Sequence, residues 1–99
     1  MATPFEDGSN ALLQKDWQAA VDAFTVVIED KPTAEAHVNR GIAYSNLGKL
    51  RESYDDCNAA IRLNPKLAEA YFNRARLYVK AKRVERALSD FDKAIELKP

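Results

Sequence analysis

The side chains with the strongest intrinsic chemistry are one cysteine, Cys57, and one histidine, His37. Together they would be the nucleophile and base of a thiol enzyme; singly they would be a redox sensor and a general base. The spacing supports neither. Cys57 occupies the place that Phe24 and Phe91 occupy elsewhere in the chain, so a buried, inert core thiol is expected. His37 stands where Pro4 and Tyr71 stand, with no Ser, Cys or carboxylate held in obvious reach, and reads as a packing or surface residue. Two such side chains fall short of a metal-ligand set, and no metal site is expected. No P-loop, GxGxxG, HExxH or EF-hand pattern occurs, so neither a cofactor nor an enzymatic activity is expected.

The charges narrow the partners. Fifteen Lys and Arg balance fifteen Asp and Glu, which argues against a nucleic-acid binder and against a polybasic membrane anchor. With 46% hydrophobic and 30% charged residues, the 99-residue chain has the composition of one globular domain. No apolar run is long enough for a membrane span, and the start Met-Ala-Thr-Pro-Phe-Glu-Asp lacks the apolar stretch of a signal peptide. A lone cysteine forms no internal disulfide. An intracellular, cytoplasmic setting is therefore expected. Trp17, Tyr54, Tyr71 and Tyr78 fall at helical spacing and read as core aromatics rather than a stacking surface for bases.

The elements that position these residues follow from the prolines. Pro32 and Pro65 are 33 residues apart, Pro65 and Pro99 are 34 apart, and the sequence before each is similar. Ala-Ile-Arg-Leu-Asn-Pro ends one unit and Ala-Ile-Glu-Leu-Lys-Pro the next; Ala34 to Gly41 falls over Ala68 to Ala75. A period of this length indicates stacked supersecondary units. Apolar residues at three- and four-residue spacing predict helices over about 5–14, 17–30, 34–47, 50–63, 68–81 and 84–97. Turns are expected at Lys15-Asp16, Gly48-Lys49 and Lys82-Arg83. Small residues recur at Gly8, Gly41 and Ala75 in the first helix of each unit, and at Ala20, Ser53 and Ala87 in the second. Helices that cross at such positions approach closely, and larger residues beside them fill the remaining space.

This pattern resembles the tetratricopeptide repeat, a helix–turn–helix unit of 34 residues. The resemblance covers residues 4–99 as three units, about 4–32, 34–65 and 68–99, in one domain spanning 1–99. It implies an all-α, right-handed α-solenoid of six antiparallel helices, without a clear C-terminal capping helix. Asp7 and Ala11 depart from the Leu and Tyr usual in the first unit; Ser53 and Cys57 depart in the second, where looser packing is expected.

The resemblance also implies that the first helix of each unit lines a concave surface that binds peptides or extended segments of other proteins. On that face the candidate groove residues are Phe5, Ser9, Leu12, Val38, Asn39 and Ile42, followed by Phe72, Asn73, Arg76 and Val79. Phe5, Val38 and Phe72 would form an apolar row, unless Phe5 and Phe72 pack on neighbouring helices, with Asn39 and Asn73 beside it either to pair with a ligand main chain or in a surface or capping role. The members of the family that grip a chaperone's terminal carboxylate carry Lys-x3-Asn, Asn and Lys-x3-Arg in the three units. Here those places hold Phe5, Ser9, Asn39, Glu69 and Asn73, so that subset is not expected.

Three further expectations concern charge and the last helix. Lys49, Arg51, Lys82, Arg83 and Arg86 lie at the turns and form a basic edge, either a solvated rim or a patch that steers an acidic partner. Arg40 and Asp56, like Arg74 and Asp90, lie 16 residues apart in two units and are both absent from the first, which suggests an ion pair between helices. Leu88 and Ile95 keep an apolar stripe on a last helix with no follower. The sequence thus points to a non-catalytic protein-interaction module, or alternatively to a scaffold element that associates with a second copy through Leu88 and Ile95.

Overall fold

The computed structural model describes residues 1–98; Pro99, the expected end of the last unit, lies outside them. Six helices alternate with short turns: α1 (Pro4–Leu13), α2 (Trp17–Asp30), α3 (Ala34–Asn46), α4 (Leu50–Leu63), α5 (Ala68–Lys80) and α6 (Val84–Leu97). Local chemistry fixes their starts. Thr3 Oγ1 accepts from the Glu6 amide at 3.1 Å while Glu6 Oε1 accepts from the Thr3 amide at 3.0 Å, and Pro4 sits at the first turn. That reciprocal cap secures α1 despite Asp7 and Ala11. Asp16 caps α2 through the Ala19 amide, and Thr33 caps α3 through the Ala36 amide, each at 3.2 Å. At the turns within each pair, Lys15, Gly48 and Lys82 adopt the left-handed conformation that reverses the chain.

The helices pack as pairs, α1 with α2, α3 with α4 and α5 with α6, and each pair stacks on the next. The helices cross at the small residues. A Cβ built on Gly8 would come within 2.7 Å of the Phe24 ring, and one on Gly41 within 3.3 Å of Asp56 Cβ. The other small-column residues, Ala20, Ser53, Ala75 and Ala87, are likewise buried. The second unit is not loosely packed, contrary to expectation. Ser53 Oγ donates to the Gly41 carbonyl at 2.7 Å, and Cys57 is fully buried in the place of an aromatic ring. A hydroxyl with a buried acceptor thus replaces an alanine methyl without leaving a polar atom unpaired.

Curvature follows from which helices touch. Among the described residues α1 meets α3 and α3 meets α5, whereas α2, α4 and α6 do not meet one another. The first helices therefore form the inner layer of the stack and the second helices the outer one. The molecule measures 43 × 25 × 21 Å.

Candidate segment-binding groove

The inner face is built from α1, α3 and α5 and is held at a fixed angle to the outer helices by two repeated ion pairs. Arg40 donates from Nε to Asp56 Oδ2 at 2.9 Å and from a terminal nitrogen to Oδ1 at 2.8 Å. Arg74 repeats the fork on Asp90 at 2.7 and 2.8 Å. Asp56 and Asp90 are 3% and 6% exposed. Hydrogen bonding to its aspartate holds each guanidinium above even its usual high range, against the burial that would lower it. Each arginine also reaches back one unit, Arg40 to Thr25 Oγ1 at 3.2 Å and Arg74 to Asn58 Oδ1 at 2.9 Å. The expected pairs are therefore present, and they tie adjacent units as well as the helices within one.

His37 corrects the sequence reading, because a carboxylate does stand beside it. Its Nδ1 donates to Asp56 Oδ1 at 2.8 Å, since an ionised carboxylate only accepts. The signal was available in the sequence. His37 precedes Arg40 by three residues and so shares its helical face, where Asp56 was already expected.

Asn39 and Asn73 come together with Phe5, Val38, Ile42 and Glu69 around a cleft of about 200 Å³. Both amides are half-buried; Asn73 spends one N–H on the Glu69 carbonyl at 2.8 Å. A narrower recess of about 40 Å³ continues along the face, where Ile42 and Asn73 meet Ser45, Arg76 and Lys80. Glu35 and Glu69 border the first cleft, and Arg76 and Lys80 the second. The groove is thus acidic at the end near Phe5 and basic at the other.

The expected apolar row is not a row of protruding anchors. Val38 is only 4% exposed, packed with Ala60 and Ala70, and can serve only as floor. Phe5 packs edge to face on Phe24, with ring centres 5.3 Å apart, and Phe72 does the same on Phe91 at 5.6 Å. Phe72 is 47% exposed, but it faces a different cavity, at the α6 end of the stack. Leu12 packs against the core around Phe24, and Ser9 and Val79 lie outside the two clefts. Spacing alone could not separate these roles, because a residue at the edge of a helix's inner face can turn toward its own partner helix.

Outside the groove, Arg51, Arg83 and Arg86 line a cavity at the turn edge, while Lys49 and Lys82 are exposed beside it. Leu88 and Ile95 are 57% and 65% exposed on α6. Burial pushes the Cys57 thiol up to about 12, consistent with an inert core residue. No helix among the described residues is long and apolar enough to cross a membrane.

The tetratricopeptide repeat model matches residues 34–67 and 68–99. The chain belongs to the tetratricopeptide repeat family. The match covers two units where three were expected; residues 4–32 fall outside it. A DnaJ homolog subfamily C member 7 homolog from Dictyostelium discoideum is 31% identical over 99 residues, 95% of this chain and 18% of that protein. The chain thus spans less than a fifth of that relative. The TPR2B domain of yeast Sti1, solved as its pHsp70 complex, superposes with a TM-score of 0.90 at 30% identity, covering 95% of this chain and 76% of that one. The first TPR of Spaghetti (RPAP3), bound to the HSP90 peptide SRMEEVD, superposes with a TM-score of 0.92 at 29% identity, covering 97% and 77%. These tetratricopeptide domains with chaperone peptides conflict with the expectation that this chain stands apart from the chaperone-tail-binding subset.

Proposed function

We propose that this tetratricopeptide domain is a non-catalytic protein-interaction module that holds an extended segment of a partner along α1, α3 and α5. The observation that carries this reading is the pairing of Asn39 and Asn73 across one cleft. Two amides on adjacent units can donate to and accept from a ligand main chain whatever its side chains. The Sti1 domain solved as its pHsp70 complex and the Spaghetti domain bound to an HSP90 peptide support the reading of a segment-binding domain. We count α1 and α2 as a third unit of the same kind, since Gly8 lies close against α2 at Phe24 and Gly41 lies close against α4 at Ser53 and Asp56.

The charge along the groove bears on which segment it takes. Glu35 and Glu69 would repel a terminal carboxylate at their end of the groove, while Arg76 and Lys80 would attract an acidic side chain at the other. A segment with a basic residue toward Phe5 and an acidic one toward Lys80 fits best. A pull-down with the parent and with Asn39→Ala/Asn73→Ala tests the groove. The double variant should lose the partner while keeping its helical spectrum, and undiminished capture would refute the assignment.

One observation favours a second use, association of two copies through α6. Ile28 and Ile61, the counterparts of Ile95, pack against the core clusters around Phe24 and around Val38, whereas Ile95 borders an open cavity of about 430 Å³ with Phe72 and Phe91. Head-to-tail stacking is disfavoured, because α1 would bring Asp7 to the place of Arg40 and Arg74. There it would face Asp92, the counterpart of the arginine acceptors Thr25 and Asn58. The α6 faces of two copies would instead meet symmetrically. Sedimentation velocity should show concentration-dependent dimerisation, abolished by Leu88→Lys/Ile95→Lys; a strict monomer at high concentration would rule it out.

A further inference from the structure

We propose that the turn edge between the second and third helix pairs is a second protein-docking site, which takes one large apolar side chain of a partner segment flanked by carboxylates. The start of α4, the end of α5 and the start of α6 enclose a cavity of about 470 Å³ there, within the range of ligand pockets. Its floor is apolar, made by Leu50, Tyr54, Leu77 and Tyr78. Its rim is cationic, made by Arg51, Lys80, Arg83 and Arg86. Among the described residues no carboxylate borders the cavity. The acidic neighbours are Asp55, which meets Arg51 at 3.4 Å with both side chains exposed, and Glu52 and Glu85 in the first turns of α4 and α6. In a chain with no net charge this is a local surplus of cations around an apolar hole.

The helix starts carry the same sign. Asp16 caps α2 with its side chain, but its counterparts are Lys49 at α4 and Arg83 at α6, neither of which makes a side-chain cap. A cation at a helix N-terminus opposes the macrodipole, so these positions do not favour the isolated fold. A carboxylate arriving at the rim would relieve that repulsion and meet the exposed guanidinium groups.

The floor favours a peptide over a nucleic acid. Tyr54 and Tyr78 pack edge to face, with ring centres 5.8 Å apart and hydroxyls 3.1 Å apart, and Arg74 lies 5.8 Å from the Tyr78 ring centre. Their rings are engaged with each other and with Arg74 rather than offered to a base. An aliphatic side chain needs only the apolar hollow. Lys80 borders both this cavity and the basic end of the groove, yet the edge site shares neither Asn39 nor Asn73, so the two sites can be tested separately.

The test is fluorescence anisotropy with a short fluorescein-labelled peptide that has one leucine between glutamates. The parent should bind it, more weakly as salt rises. Arg83→Glu/Arg86→Glu should weaken binding at least tenfold, and a probe with serine for leucine should bind severalfold more weakly. Asn39→Ala/Asn73→Ala should bind as the parent does. Arg51→Gln/Arg83→Gln, which leaves the shared Lys80 in place, gives the same reading should the charge reversal disturb folding. Absence of binding at millimolar protein, equal binding by both rim variants, or indifference to the leucine would overturn the proposal. So would competition by a single-stranded oligonucleotide as effective as that by unlabelled peptide.

Discussion

Arg40 and Asp56, on α3 and α4, meet through two parallel hydrogen bonds, and the same carboxylate takes a third from His37. The side chains of Arg40 and Asp56 are 19% and 4% exposed, so the pair lies largely out of water. Removing one partner leaves the others without their acceptor. Asp56→Ala should cost about 3–5 kcal/mol of stability, whereas Asp55→Ala, at the exposed pair with Arg51, should cost at most about 1 kcal/mol. Urea denaturation of the two variants measures the contrast, and equal midpoints would contradict it.

The crossing of α1 and α2 leaves no room for a methyl group at Gly8. A Cβ there meets three atoms of the Phe24 ring at 2.7 to 2.9 Å, and Phe24 is fully buried. Gly8→Ala should therefore destabilise by about 1–3 kcal/mol, despite the better helix propensity of alanine. A thermal melt decides: an unchanged or raised midpoint would mean the ring has space to move.

Cys57 should be silent toward thiol reagents in the native state and exert its effect through pH. Burial raises the thiol from its ordinary 9.0 to about 12, with the Asp56 charge adding to the rise. The folded chain then keeps a proton that the unfolded chain loses above about pH 9. Stability should fall with rising pH by up to about 1.4 kcal/mol per unit, until the folded thiol itself ionises. The difference in melting between the parent and Cys57→Ala, followed from about pH 8 to 11, isolates this contribution. A pH-independent difference would contradict it.

The helices and their register were legible in the sequence because they rest on local signals. The repeated prolines, the small columns at Gly8, Gly41 and Ala75, and the paired Arg and Asp columns each repeat with the period. Each observed helix lies within one residue of its expected bounds. The groove was less legible. Val38 and Phe72 occupy one column yet have opposite fates, one sealed under α5 and the other turned toward α6 at an open face. A column assignment carries no information on what covers a side chain from the next unit. The cavity at the basic edge escaped the sequence for the same reason: Arg51 and Arg83 come from different units, and only stacking sets them around one hollow.

The charge of the groove predicts how it treats a chaperone tail. Glu69 stands where a carboxylate-gripping domain carries lysine, so its like charge should limit the grip of the parent on the peptide SRMEEVD. Glu69 also accepts from Lys98 Nζ at 3.3 Å, both side chains being largely exposed, so Glu69→Lys, which removes one like charge, should strengthen binding by about threefold. Calorimetric titration reads both values. Equal binding by the parent and Glu69→Lys would contradict this role of Glu69.

The most direct test of the inner-face assignment is a nitrogen-15 NMR titration with a peptide selected by display against the folded chain. The side-chain amides of Asn39 and Asn73 give their own signals, apart from those of the backbone. Both should shift on saturation, together with the backbone of α3 and α5, while the outer surface of α2 and α4 stays unmoved. Shifts confined to α2, α4 and α6, with both asparagine amides unchanged, would contradict the account.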